Sequence, residues 1–124
     1  MSGKILCIED NPQNMRLVRK MLSAGGYTII EASDGFTGLR VAAEELPDLI
    51  LMDINLPDID GMEATQRLKQ NATLAHIPVI ALTANAMPGD RERFLEAGCD
   101  GYLSKPITRS ELISLVEQFI PQTQ

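Results

Sequence analysis

Apolar residues cluster in short runs along this chain: Ile5-Leu6-Cys7-Ile8, Ile29-Ile30, Leu49-Ile50-Leu51-Met52, Val79-Ile80-Ala81-Leu82 and Tyr102-Leu103. Runs of this length between turn residues read as strands buried in a parallel sheet. They predict strands over 4–9, 27–32, 49–53, 78–83 and 101–104. The intervening segments carry helix punctuation. Asn11 caps a first helix, Pro12 takes the first turn, where its missing N–H would be unpaired anyway, and Gly25-Gly26 stops it. A second helix starts at Asp34 or its neighbour, runs through Leu39, Val41 and Ala42 to about Glu45, and ends before Pro47. Met62, Thr65 and Leu68 mark a third, 88–97 a short fourth, and 109–120 the last. Strands alternating with helices of about 10–15 residues mean βαβ units, hence a parallel sheet covered on both faces.

Charge sits where those runs end. Glu9-Asp10 follows the first strand, Asp53 closes the third and Lys105 follows the fifth. The carboxyl ends of parallel strands share one sheet edge, and open α/β sheets bind ligands outside that edge, so these residues are predicted to meet at a site. Carboxylates ~4 Å apart repel by about 4 kcal/mol per ionised pair at an effective dielectric near 20, which calls for a cation. Mg²⁺ suits the set, because it is a hard ion that takes one or two carboxylates plus phosphate oxygens and no soft ligands compete here. Taken alone, Glu9-Asp10 has a second reading as a strand end and helix cap.

Asp53 is the candidate nucleophile, since a carboxylate attacking phosphorus gives an aspartyl phosphate. Phosphoryl transfer asks mainly for positioning and for neutralised charge on the equatorial oxygens, and Lys105 supplies a cation. Thr83, closing the fourth strand, offers a hydroxyl to another phosphoryl oxygen; it also reads as an ordinary β-favouring strand residue.

Composition narrows the class. With 124 residues, 44% hydrophobic and 23% charged, the chain (1–124) suits one domain with a real core. A net charge of -6 without clustered Lys and Arg argues against a nucleic-acid surface. Cys7 and Cys99 lack CxxC spacing and predict reduced thiols rather than a metal site or disulfide framework. No apolar stretch approaches the ~20 residues of a membrane span, and no signal segment is evident, so a cytoplasmic protein without membrane contact is expected.

Ile8-Glu9-Asp10-Asn11, the run Asp48 to Pro57 with Gly61, Pro78-Val79-Ile80-Ala81-Leu82-Thr83-Ala84, and Lys105-Pro106 together resemble the receiver domain of two-component response regulators. The resemblance extends from about Lys4 to Phe119. Asn14 and the stretch Ala84-Asn85-Ala86-Met87-Pro88-Gly89-Asp90 are most similar to receivers of hybrid sensor kinases and to stand-alone regulators of the DivK type. The resemblance implies a flavodoxin-like (βα)5 sandwich with strand order 2-1-3-4-5. It implies Asp53 as phosphoacceptor and metal ligand, and Asp10 as a direct Mg²⁺ ligand with Glu9 nearby or acting through water. It further implies Asn55 as a ligand through its backbone carbonyl, Lys105 as the phosphoryl-binding cation, Thr83 as the switch hydroxyl and Tyr102 as the switch aromatic. Tyr102 also reads as a half-buried strand aromatic. Lys105-Pro106 matches the family's cis peptide. Glu at position 9 replaces the commoner Asp.

The implied partners are a histidine kinase or histidine phosphotransfer protein and a downstream protein target, with the chain a monomer or weak homodimer. The implied product is a conformational state; no turnover is expected beyond Mg²⁺-dependent self-phosphorylation and self-dephosphorylation. An aspartyl-phosphate phosphatase would need a general acid two residues after Asp53, where Asn55 cannot protonate a leaving group. An unphosphorylated pseudo-receiver is disfavoured by the intact acidic set. Without an effector segment after Ile120, a stand-alone shuttle or relay is expected.

Three surface expectations complete the reading. Asn14, Met15 and Val18, facing Pro106-Ile107, form a mixed patch on which a helical phosphodonor docks, unless Met15 and Val18 belong to the core. Leu112, Ile113, Leu115, Val116, Phe119 and Ile120 make the last helix apolar over more than one face, which places all six in the core or leaves some for a partner. His76, without a second His, reads as a surface residue.

Overall fold

In a computed structural model that describes residues 3–84 and 87–120, the apolar runs form five strands. These are β1 (Lys4–Ile8), β2 (Thr28–Ala32), β3 (Leu49–Asp53), β4 (Val79–Thr83) and β5 (Gly101–Ser104). The helices between and after them are α1 (Pro12–Ala24), α2 (Gly35–Glu45), α3 (Gly61–Gln70), α4 (Asp90–Ala97) and α5 (Arg109–Phe119). All pairings are parallel and the order is β2-β1-β3-β4-β5, as the resemblance implies.

Side chains alternate across the strands, so the sheet divides the core in two. Leu6, Ile8, Ile50, Met52 and Ala81 pack with Ala42 of α2, Leu68 of α3 and Phe94 of α4. Ile5, Cys7, Leu51, Ile80 and Leu82 face Val18 and Leu22 of α1 and Leu112 and Val116 of α5. Every residue of β3 and β4 is buried, which is why those two strands are near-continuous apolar runs.

The helix ends follow the capping chemistry. Asn11 Oδ1 accepts from Gln13 N and Asn14 N, and Pro12 opens α1. Leu46, with φ 49, closes α2 in a left-handed conformation just before Pro47. Several predicted ends move by a residue or two: β1 stops at Ile8, β2 begins at Thr28, β4 at Val79, α4 at Asp90, and α5 ends at Phe119. At β4 the cause is Pro78, which has no N–H and contributes only its carbonyl, accepting from Ile50 N at 2.9 Å.

The expected docking patch is corrected. Met15, Val18 and Ile107 are 6%, 1% and 7% exposed and belong to the α1–α5 side of the core, because the apolar stripe of α1 has only one sheet face to cover. On the last helix only Leu112 and Val116 are fully buried, while Ile113, Leu115, Phe119 and Ile120 are half-buried at the edge of the same cluster. His76 is exposed.

Candidate functional site

Strand register builds the site. Ile8 pairs with Met52, so Glu9 and Asp53 emerge side by side from β1 and β3. Asp53 pairs with Leu82 and Thr83 with Ser104, which puts Thr83 one step beyond the β3 register and Lys105 one step beyond β5. Two backbone bonds fix this edge: Glu9 N donates to Ala32 O at 3.0 Å and Lys105 N to Thr83 O at 2.7 Å. Lys105-Pro106 is a cis peptide.

At the centre, Glu9 and Asp53 are buried and Asp10 is exposed, with one oxygen of each carboxylate within 4.8 Å of the others. Lys105 Nζ is 2.9 Å from Glu9 Oε1 and 3.4 Å from Asp53 Oδ1. Glu9 Oε2 accepts from Asn11 N, and Asp53 Oδ1 from Asn55 N, each at 3.1 Å. Glu9 Oε1, wholly buried, is ion-paired by the ammonium but accepts no directed hydrogen bond.

The electrostatics reflect this crowding. Burial, and then the Glu9 carboxyl beside it, push the pKa of Asp53 up to about 7 against the pull of Lys105 and of the Asn55 N–H. Burial alone would lower Lys105, but Glu9 and Asp53 outweigh it and raise it, so the ammonium is firmly charged. Beneath them burial pushes the Cys7 thiol far up, so it is an inert core residue.

Two buried carboxyls side by side, a third at the mouth and an orphaned buried oxygen together form a hard-oxygen cradle in which a divalent ion would remove the repulsion. The donor set fits Mg²⁺: all oxygen, with an open side for water and phosphate.

Of the sequence-predicted residues, Glu9, Asp10, Asp53 and Lys105 come together. Thr83 and Asn55 line an adjoining pocket of about 170 Å³, with Ile54, Asp90, Arg93 and Phe94. Tyr102 stands apart: it is 36% exposed and lies 5.5 Å from the Phe94 ring, centroid to centroid, at 51°. Asn85 lies outside the described residues.

Three features escaped the sequence reading. Lys105 approaches Glu9 more closely than Asp53. An added Cβ on Gly61 would meet Asp53 O at 2.3 Å, so α3 abuts the candidate nucleophile's own backbone. Asp58 bonds to the start of α2, a contact between distant segments for which local sequence carries no signal.

Known proteins bear on this geometry. The model of the response regulator receiver domain family matches residues 5–117. The polar-differentiation response regulator DivK of Brucella ovis is 45% identical over 120 residues, covering 97% of this chain and 98% of its own. The receiver domain of the sensor histidine kinase PA1611 from Pseudomonas aeruginosa, solved with a magnesium ion coordinated in its active-site cleft, superposes with a TM-score of 0.89. It is 40% identical and covers 98% of this chain and 100% of its own. The chemotaxis response regulator CheY4 of Vibrio cholerae shares the fold with a TM-score of 0.90 at 24% identity, over 96% of this chain and 99% of its own. A family match over nearly the whole chain, laid on five parallel strands with an acidic cradle at their carboxyl ends, shows that the chain belongs to the response regulator receiver domains of two-component signalling.

Proposed function

We propose that Asp53 accepts a phosphoryl group from a phosphohistidine of a sensor kinase or phosphotransfer protein, and that the resulting aspartyl phosphate switches the surface presented to a downstream protein. The observation that carries this reading is the buried Asp53 carboxyl, 3.4 Å from the Lys105 ammonium and clustered with Glu9 and Asp10.

In the transfer an Asp53 carboxylate oxygen forms a bond to phosphorus as the P–N bond to the donor imidazole breaks, and the electron pair leaves with the imidazole nitrogen. Mg²⁺ held by Glu9, Asp10, Asp53 and the Asn55 carbonyl would neutralise charge on the phosphoryl oxygens. Lys105, 3.4 Å from Asp53, would neutralise charge on another phosphoryl oxygen. The Asn55 N–H orients Asp53.

The Thr83 hydroxyl then turns to the phosphoryl group. Tyr102, packed on Phe94, follows inward and reshapes the α4–β5–α5 surface, a two-state device biased by a local charge change. The chain acts as one domain, in the cytoplasm, without catalytic turnover on other substrates. Among the described residues no helix is long and apolar enough to cross a membrane.

The test is transfer from a radiolabelled histidine-phosphorylated donor. Label should pass to this chain with Mg²⁺ and stay on the donor when a chelator removes it; transfer indifferent to the chelator would overturn the reading.

A further inference from the structure

The loop leaving the nucleophile is tied down at both ends. At its base Ile54 N donates to Leu82 O and Gly61 N to Ile54 O, each at 3.0 Å. At its tip Asp58 reaches across to α2. Its Oδ1 accepts from Gly35 N at 2.8 Å and Ile59 N at 2.9 Å, and its Oδ2 accepts from Phe36 N at 2.9 Å.

Two aspartates therefore divide the unpaired N–H groups that open α2. Asp34, on the helix side, takes Thr37 N at 2.8 Å; Asp58, on the loop side, takes Gly35 and Phe36. The contact is close-packed: a Cβ on Gly35 would meet Ile59 Cγ2 at 2.1 Å. Desolvation would raise the Asp58 carboxyl, but the N–H groups of Phe36, Gly35 and Ile59 prevail and hold it below the usual range, so it is a charged anchor at neutral pH.

We propose that Asp58 is a positioning residue for phosphoryl transfer: by fastening residues 56–60 to the first turn of α2, it holds Asn55 where its N–H orients Asp53 and its carbonyl would serve a bound cation. This rests on the proposed role of Asn55 and Mg²⁺. Only Leu56 and Pro57 separate Asn55 from the anchor, and the fixed φ of Pro57 leaves the link little slack. A group that holds a metal ligand without touching the metal typically changes affinity by 10–100-fold when removed.

The test measures Mg²⁺ affinity by calorimetric titration in the parent chain, Asp58→Ala, Asp58→Asn and Asp34→Ala, together with the Mg²⁺ dependence of labelling by acetyl phosphate. Asp34→Ala is the control, because it removes one negative charge and one cap from the same helix end without touching the loop. Asp58→Ala should raise the Mg²⁺ dissociation constant about tenfold, the low end of that range. Half-saturation for labelling should rise alongside, while Asp34→Ala stays near the parent in both. Should Asp58→Ala fail to fold, Asp58→Asn, which keeps the shape and one acceptor, should show the same direction of change. Unchanged affinity in a folded Asp58 variant, or an equal loss in Asp34→Ala, would overturn the anchor and leave the metal site standing. A parent that binds no Mg²⁺ would overturn both.

Discussion

Lys105 Nζ and Glu9 Oε1 lie 2.9 Å apart, closer than the 3.4 Å to Asp53 Oδ1, so the site's ammonium is paired chiefly with Glu9 rather than with the candidate nucleophile. The pair stores the ammonium beside the reaction centre. A metal taking over Glu9 would release Lys105 towards the phosphoryl oxygens.

Lys105→Ala separates these tasks. Without the competing ammonium, Mg²⁺ should bind at least as tightly as in the parent, while the rate of labelling by a small phosphodonor at saturating Mg²⁺ falls by roughly 100-fold, the scale of losing one charge-stabilising group. Parallel titration and labelling check both halves.

The raised pKa of Asp53 predicts how stability depends on pH. Its folded value of about 7 lies above the unfolded 3.8, so proton uptake stabilises the metal-free fold fully below about pH 4 and ever less as pH rises towards 7. Melting temperature should therefore fall across that window with chelator present. Mg²⁺ at tenfold over its dissociation constant should restore about 1.4 kcal/mol at neutral pH. Asp53→Asn should flatten the metal-free profile; a profile in the parent indifferent to both pH and Mg²⁺ would contradict the raised pKa of Asp53.

Gly61 is fixed by contact rather than by helix preference. Gly61→Ala should improve local helix propensity yet destabilise the fold by about 1–3 kcal/mol, because the new methyl presses on Asp53 O and Ile54 Cα. Denaturant melts give the value, and slower labelling should accompany it.

Much of this was legible beforehand, for reasons particular residues make plain. β3 and β4 are buried on both faces, so Leu49 to Met52 and Val79 to Leu82 stand out as unbroken apolar runs. That Glu9, Asp10, Asp53 and Lys105 share an edge follows from each standing where a parallel strand ends. Burial on α1 was not legible in the same way: Met15 and Val18 fit either a core stripe or a docking patch until the sheet they cover is known. Gly38, inside α2, looks unfavourable for a helix until Ile8 Cδ1 is seen 2.4 Å from where its Cβ would stand. Asp58 reads as an ordinary turn residue, because its donors on α2 lie 22 and 23 positions earlier.

The proposed switch has its own test. Thr83→Ala should accept the phosphoryl group while uncoupling it from Tyr102. In the parent, phosphorylation should shift the ring resonances of Tyr102 and Phe94; in the variant those shifts should be largely lost. Equal shifts in both would remove the hydroxyl from the mechanism.

The most direct measurement is the site of labelling. Acetyl phosphate with Mg²⁺ should add a single phosphoryl group, stable in acid and labile in base, that peptide mapping places on Asp53; Asp53→Asn should take none. A label that persists in Asp53→Asn, or that forms equally well in the parent without Mg²⁺, would contradict the account.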